Sequence, residues 1–243
     1  IVAQIPTSAL SDETPVNFHN VIKEPPNYLL KKWEWSEDKL PIISDNKILS
    51  LKDKKKYSFS EIILKLLSNP SIASKSWVYQ QYDSQVQSNT VFKPGEADAA
   101  LIRLRGQDEK NKNNIFSGVA AYVDFYSRWV LLDPYRGSIS AVAESARNVS
   151  CVGAEPIAIT NNLNFSSPDT EIGYWQLSSA CDGISKACIA LETPVTGGNV
   201  SLYNESKNQN NQVTPINPTP VIGMVGIIKN VDNFKPDLIV IGH

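Results

Sequence analysis

Residues 155–160 read EPIAIT, a short apolar run that lies between two helical patterns. From Gly137, apolar residues recur at spacings of three and four, and the same spacing begins again at Tyr174. The second pattern ends at Thr193, because Pro194 disfavours helix in the residue before it. A buried strand between two amphipathic helices predicts an α/β or α+β class, with helices packed on one face of a sheet.

Further elements are expected on both sides of this unit. The apolar run at 219–228 predicts another buried strand, and 99–105, 119–124 and 129–132 are shorter strand candidates. The run IILKLL follows the sequence SFSE, which predicts a capped helix over residues 62–67. Between these elements the sequence predicts an irregular connection at 25–47, a solvated loop at 106–114 and a ligand- or partner-facing surface at 72–91.

The two ends of the chain both have strand-like patterns. The chain opens with IVAQ, without an initiator methionine or a signal-peptide pattern, and closes with DLIVIGH at residues 237–243. We therefore expect both ends to continue into a longer protein.

Composition excludes several functional classes. Of the 243 residues, 42% are hydrophobic and 20% are charged, as in ordinary globular proteins. The net charge of −2, without a basic block, argues against a nucleic-acid partner. No run approaches the roughly 18 apolar residues of a membrane span. Cys151, Cys181 and Cys188 lack CxxC spacing, and the last two lie in an apolar helical pattern. They are interpreted as small buried side chains in a reducing, cytoplasmic compartment.

The sequence TGGNVS at residues 196–201 is the first candidate site. Gly197 and Gly198 would let the backbone approach a phosphate closely and direct N–H groups at it. Asn199 offers a carbonyl oxygen to a cation, and Ser201 offers a hydroxyl to a substrate. An ordinary glycine turn between strands is the alternative. Asn161 follows the strand at 157–160, where open α/β sheets present ligand-binding loops.

A second candidate site lies on the first predicted helix. Glu144 and Asn148 are four residues apart and therefore share a helix face. Their oxygens could ligate a hard cation such as Mg²⁺, with Asp98 as a third oxygen donor. The alternatives are a solvated helix face for the pair and a turn position for Asp98.

Several motifs occur in an order that resembles one enzyme family. They are ASKSWVYQQYD at 73–83, LDPY at 132–135, AESARN at 143–148, GAEP at 153–156, the segment 193–204 around the glycines, and PTPV at 218–221. Together they resemble the second aminoimidazole-ribonucleotide-synthetase-like ATP-binding domain of phosphoribosylformylglycinamidine synthases. The similarity covers nearly the whole chain, and residues 2–16 resemble the end of the preceding domain.

The resemblance implies a fold, a reaction and a set of ligands. It implies a synthetase-like N-terminal domain with a mixed sheet over residues 61–230. Residues 1–60 would be the end of a preceding domain plus a linker, and 231–243 the start of a following one. The family converts formylglycinamide ribonucleotide to the formylglycinamidine in purine biosynthesis, using ATP, Mg²⁺ and a glutamine-derived amide nitrogen. A glutaminase subunit or domain and a homo-oligomer or association with other synthase domains are the implied partners.

Roles for individual residues follow from the same resemblance. It places Gly197, Gly198 and Asn161 at ATP and Ser201 at the substrate, and it makes Asn199 a magnesium ligand. Glu144, Asn148 and Asp98 match the magnesium ligands of a nucleotide site that is structural in some members. The family's catalytic histidine belongs to the first ATP-binding domain, so no catalytic residue is expected here.

The sequence also departs from the family pattern. Asn161 replaces an aspartate, which predicts weaker metal–nucleotide affinity, and Ser166 stands where glycine is usual. The segment 125–129 replaces an Asn-Gly pair before its arginine. Two alternatives to synthase activity stay open. One is a non-catalytic nucleotide-binding domain that pairs with itself or with a full-length synthase through its sheet. The other is a related ATP-dependent enzyme of the same superfamily.

Overall fold

A computed structural model describes residues 3–16, 18–34, 36, 38, 41–44, 47–49, 54–105 and 116–233. The helices of these residues are α1 (Asn27–Trp33), α2 (Phe59–Leu67), α3 (Ser76–Tyr79), α4 (Ser127–Leu132), α5 (Pro134–Cys151) and α6 (Glu171–Leu191). Short 3-10 helices occur at Thr7–Leu10, Val86–Ser88 and Val231–Asn233. No helix in the described part of the chain is long and apolar enough to cross a membrane.

The strands form three sheets. They are β1 (Ile42–Ser44), β2 (Lys47–Leu49), β3 (Lys56–Ser58), β4 (Ala100–Arg103), β5 (Gly118–Asp124), β6 (Glu155–Asn164), β7 (Val195–Ser201), β8 (Glu205–Lys207), β9 (Val213–Pro215) and β10 (Thr219–Ile228). The central sheet has the order β4-β5-β10-β6-β7. Its β6–β7 pair is parallel and its other pairs are antiparallel, which confirms the expected mixed sheet.

Helices cover one face of the central sheet. On β10, Ile222 and Met224 are fully buried against this layer, and α5 contributes the fully buried Ala141, Val142 and Val149. Helix α6 packs closely on α5 because Gly183 has no side chain. A Cβ added at Gly183 would lie only 2.2 Å from the Tyr135 carbonyl oxygen. Helices on one face of the sheet were expected from the sequence, and the structure confirms this.

The opposite face of the sheet, called the open face below, has no helix layer among the described residues. Along β10 the buried residues alternate with half-buried or exposed ones, as the two-residue period of a strand requires. Val123 and Ile102 are 63% and 48% exposed on this face, and Ile227 is 42% exposed. The open face therefore presents apolar side chains near β4, β5 and one end of β10.

Local signals explain the ends of the predicted helices. Ser58 and Glu61 form a capping box at the start of α2, as the sequence predicts. The Asp133 carboxylate accepts a hydrogen bond from the Arg136 N–H, and Pro134 occupies the first turn of α5. Helix α6 ends before Thr193, as predicted.

Three secondary-structure predictions are wrong. Residues 129–132 lie in α4 and not in a strand, because Val130 is the side chain that turns into the core and the segment leads directly into α5. Asn161 lies within β6 and not after it, because β6 continues to Asn164 and pairs with β7 from Ile159 to Asn164. The alternative of a glycine turn is excluded, since Gly197 lies in β7. The connection at 25–47, predicted to be irregular, contains helix α1 and strand β1.

The prediction of buried cysteines is confirmed in part, and two predicted segments cannot be compared with the structure. Cys188 is buried, Cys181 is half-buried, and Cys151 is exposed; all three are free thiols. The predicted loop at 106–114 and the predicted strand at 237–243 lie outside the described residues.

Candidate functional site at the β6–β7 edge

Strands β6 and β7 bring the predicted nucleotide and substrate residues together. Asn161 lies beside Gly198, Asn162 beside Asn199 and Asn164 beside Ser201 in the parallel register. Side chains add to the ladder, since the Thr160 hydroxyl donates to the Gly197 carbonyl oxygen at 3.1 Å. The site is therefore built on strands, which hold side chains more rigidly than a loop does.

Gly198 permits the closest approach between the two strands. An added Cβ would lie 2.0 Å from Oδ1 of Asn161 and 2.7 Å from its carbonyl oxygen. The neighbouring Gly197 faces open space, with nothing within 4 Å of an added Cβ. Gly198 is therefore required by packing, whereas Gly197 leaves room in front of the backbone.

Alternation along the strands divides the asparagines between the two faces of the sheet. Asn161 pairs with the buried Ile222 and so points to the helix-covered face, whereas Asn162 and Asn199 point to the open face. The Asn199 side-chain Nδ2 donates to Oδ1 of Asn162 at 3.2 Å. The side-chain oxygen Oδ1 of Asn199 is therefore turned away from Asn162.

A shallow cavity of about 370 Å³ lies in front of these residues. It is lined by Val123, Thr160, Asn161, Asn162, Gly198, Asn199, Val221 and Gly223. From Thr160 to Asn164 and from Gly197 to Ser201, the two strands present only amide, hydroxyl, apolar and glycine positions. The site therefore offers oxygen ligands without negative charge, and a cation here would need charge from its ligand's phosphates.

Ser201 lies at the end of β7 and is held by Asn204. The Asn204 amide Nδ2 donates to the carbonyl oxygens of Ser201 and Phe165 at 2.8 and 3.0 Å. Phe165 is fully buried and its N–H donates to the Ser201 carbonyl oxygen, which joins the ends of β6 and β7. Sequence reasoning missed Asn204 as a site residue, although it stands in the motif that begins at Thr193.

The other predicted magnesium ligands lie at a different place. Glu144 and Asn148 lie one turn apart on α5, both half-buried, and Asp98 precedes β4. Burial raises the pKa of the Tyr122 hydroxyl, and the carboxylates of Asp124, Glu144 and Asp98 raise it further. Tyr122 and Asp124 pair with the buried Met224 and Ile222, and Glu144 is on α5, so these three residues lie on the helix-covered face.

Asp124 is the member of this group that sequence reasoning missed. Burial raises the pKa of the Asp124 carboxyl group, and the Glu144 carboxylate contributes to the same shift. Glu144 is paired with Arg147 at 2.8 Å and accepts a hydrogen bond from the Tyr126 hydroxyl. No set of three His, Cys, Asp or Glu side chains in the described ranges is close enough to form a metal site alone. The predicted magnesium ligands are thus divided between two faces of the sheet.

The mixed sheet with one helix layer and the glycine–asparagine edge are the features that characterise the protein family to which this chain belongs. Residues 96–228 match the family "AIR synthase related protein, N-terminal domain", and the chain belongs to that family. This confirms the fold that the sequence motifs implied.

Relatives within this family point to one kind of enzyme. The chain is 90% identical to phosphoribosylformylglycinamidine synthase subunit PurL of Prochlorococcus marinus subsp. pastoris, over 96% of this chain and 30% of the relative. It is 60% identical to the same subunit of strain NATL1A, over 96% of this chain and 29% of that relative. The resemblance to this synthase is confirmed, and the chain spans about 30% of the length of the relatives it matches.

Solved structures show the same similarity. T. maritima PurL complexed with FGAR matches 96% of this chain and 30% of its own length, with a TM-score of 0.56 and 27% identity. T. maritima PurL complexed with ATP matches 65% of this chain and 24% of its own length, with a TM-score of 0.52 and 35% identity.

Proposed function

We propose that this chain is the central part of a phosphoribosylformylglycinamidine synthase and supplies its β6–β7 edge to the nucleotide and substrate site. The observation that carries this proposal is the register of β6 and β7, which places Asn161 against Gly198 and aligns Asn199 and Ser201 on the open face. The T. maritima relatives complexed with ATP and with FGAR support the choice of ligands.

The chemistry assigned to the whole enzyme is ATP-dependent replacement of an amide oxygen by nitrogen. The amide oxygen of the ribonucleotide is phosphorylated, and ammonia then displaces the phosphate. Magnesium bound with ATP would neutralise charge on the phosphate oxygens. The residues of this chain contribute by position: the backbone at Gly197 and Gly198 faces a phosphate, Asn199 directs its carbonyl oxygen at the cation, and Ser201 contacts the ribonucleotide.

The residues present fit a magnesium–nucleotide ligand in a specific way. The open-face oxygens of Asn199 and its neighbours are hard donors, which suit Mg²⁺, but they are uncharged. Metal and nucleotide should therefore bind together, and either alone should bind weakly. Glu144, Asn148 and Asp98, with Asp124 beside them, form a second proposed cation position on the helix-covered face.

Calorimetry on the chain tests the β6–β7 assignment. Asn199→Ala removes the proposed ligand oxygen, so we expect Mg–ATP affinity to fall by about 10-fold or more, because a hydrogen bond or ligand to a charged group contributes roughly 1.5–3 kcal/mol. Ser206→Ala, an exposed hydroxyl in β8, is the matched control and should bind normally. A well-folded chain that binds no Mg–ATP contradicts the proposal.

A second candidate function is assembly without catalysis. The apolar residues of the open face, with Val123 at 63% exposure, favour pairing with another sheet of the same kind. The partner would be a second copy of this chain or another domain of a synthase. Sedimentation of a clean monomer at micromolar concentration contradicts self-pairing.

The remaining assignments follow from the family. We propose a glutaminase domain or subunit as the source of nitrogen and a cytoplasmic location; PurLQS from Thermotoga maritima is among the similar structures. We retain the division into 1–60, 61–230 and 231–243 as the proposed domain limits. Ammonia-dependent turnover of formylglycinamide ribonucleotide, with and without the rest of a synthase, tests whether the chain needs further domains.

A further inference from the structure

Asn204 is fixed in one orientation by two backbone carbonyl groups. Its side-chain amide has two hydrogens. One donates to the Ser201 carbonyl oxygen at 2.8 Å and the other to the Phe165 carbonyl oxygen at 3.0 Å. Tyr203, with a left-handed φ of 61°, turns the chain so that Asn204 reaches back over the end of β7. Rotating the amide by half a turn would break both bonds, so the positions of its nitrogen and oxygen are determined.

This orientation decides the direction of the Ser201 hydroxyl bond. The Ser201 Oγ lies 3.2 Å from Oδ1 and 3.1 Å from Nδ2 of Asn204. Three acceptors lie within hydrogen-bond distance of Asn204 Nδ2: the two carbonyl oxygens at 2.8 and 3.0 Å, and Ser201 Oγ at 3.1 Å. The two shorter bonds take the two amide hydrogens, so the Ser201 hydroxyl hydrogen is assigned to the acceptor Oδ1. The single hydroxyl hydrogen of Ser201 therefore points to Asn204, and the lone pairs of Oγ remain for a ligand.

We infer that Asn204 is a positioning residue that makes Ser201 a hydrogen-bond acceptor toward the substrate. The group of the ribonucleotide that Ser201 recognises is then a donor, either a ribose hydroxyl or an amide N–H. Phosphate and ionised carboxylate oxygens only accept hydrogen bonds and do not match this arrangement. The inference rests on the proposed substrate contact at Ser201 and specifies its chemistry.

Substrate analogues test the assignment in a full-length synthase. For this test, the chain is grafted into the 90% identical relative in place of the matching segment. Ser201→Ala should raise the KM for the ribonucleotide about 3- to 10-fold, the range of one neutral hydrogen bond. One analogue among the 2′-deoxy, 3′-deoxy and N-methylamide forms should show the same loss, and combining it with Ser201→Ala should add nothing further. Competition by inorganic phosphate should be the same with and without Ser201→Ala.

Asn204 variants separate positioning from a purely structural role. Asn204→Asp keeps an acceptor for the Ser201 hydroxyl but loses both donors to the carbonyl oxygens, so it should lower Tm at least as much as Asn204→Ala while raising KM less. Asn204→Ala loses the acceptor as well and should raise KM as Ser201→Ala does. KM changes that simply follow Tm in both variants overturn the inference.

The analogue series remains decisive even if the Asn204 variants fail to fold. Additive losses for all three analogues, or phosphate competition weakened by Ser201→Ala, overturn this inference while the proposed function stands. A folded graft that does not bind the ribonucleotide overturns both.

Discussion

The two faces of the central sheet differ in what covers them. On the helix-covered face, residues such as Ile222 and Met224 are fully buried under α5. On the open face, the alternate positions of the same strands leave Val123 63% exposed and place Asn199 and Ser201 at one edge. The helix-covered face accounts for the stability of the chain, whereas the open face carries its proposed ligand and partner contacts.

The two faces of the sheet also differ in charge. Asp124 and Glu144 lie on the helix-covered side, and their carboxylates, with that of Asp98, raise the pKa of the Tyr122 hydroxyl. The β6–β7 edge on the open face presents neutral amides and hydroxyls instead. A cation at the carboxylates would be attracted by the protein itself, but a cation at the open-face edge would depend on the charge of a bound nucleotide.

Valine substitutions at two glycines should show the largest difference between the faces. Gly183→Val places a Cβ 2.2 Å from the Tyr135 carbonyl oxygen, so α5 and α6 must separate. We expect a loss of about 3 kcal/mol in the free energy of unfolding, as overpacking produces. The side chain of Gly197→Val enters open space on the open face, so this variant should change the free energy of unfolding by less than about 0.5 kcal/mol. Equal losses in urea unfolding would show that the faces do not differ in packing.

Charge placed on the open face should prevent association without unfolding the chain. In the Ile102→Glu, Val123→Glu double variant, both changes fall on exposed positions of β4 and β5. We expect the dissociation constant for self-pairing to rise at least about 10-fold, since desolvating an unpaired charge at an interface is unfavourable. Ile189→Glu, 76% exposed on α6, is the control. Sedimentation that shows equal weakening by the control argues against the open face as the interface.

Restoring the family's aspartate at residue 161 should add favourable charge at the β6–β7 edge. Asn161→Asp adds a carboxylate beside Gly198, at the rim of the cavity but on the helix-covered side of β6. We expect Mg–ATP affinity to increase about 3-fold, because the carboxylate attracts the cation without ligating it. Asn210→Asp adds the same charge at an exposed position of the β8–β9 hairpin and should leave affinity unchanged. Unchanged or weaker binding by Asn161→Asp would place the metal away from residue 161.

Thiol reactivity gives the smallest expected effect. Cys151 is exposed, whereas burial raises the pKa of the Cys188 thiol and so reduces its thiolate fraction near neutral pH. Burial and the Asp182 carboxylate raise the pKa of Cys181 as well. Ellman's reagent at pH 8 should therefore modify Cys151 first and leave Cys188 until the chain unfolds. Rapid modification of Cys188 in the folded chain would show that the helix layer opens.

Some features of this molecule follow from local sequence and others do not. Strand β10 and helices α5 and α6 follow from local periodicity, and the order of motifs identifies the family. The run at 129–132 misleads, because four consecutive apolar residues fit a strand as well as a buried helix. The face on which each asparagine lies depends on strand register. Asp124 cannot be identified from local sequence, because the pairing of distant strands places it near Glu144. Asn204 cannot be identified either, because the left-handed turn at Tyr203 places it next to Ser201.

Titration calorimetry of the chain with ATP, with Mg²⁺ and with both together tests the central claim most directly. The neutral open-face edge predicts clear binding of Mg–ATP, weak binding of either component alone, and loss of the combined signal in Asn199→Ala. Absence of Mg–ATP binding by the folded chain, or binding that Asn199→Ala leaves unchanged, would contradict a nucleotide site at the β6–β7 edge.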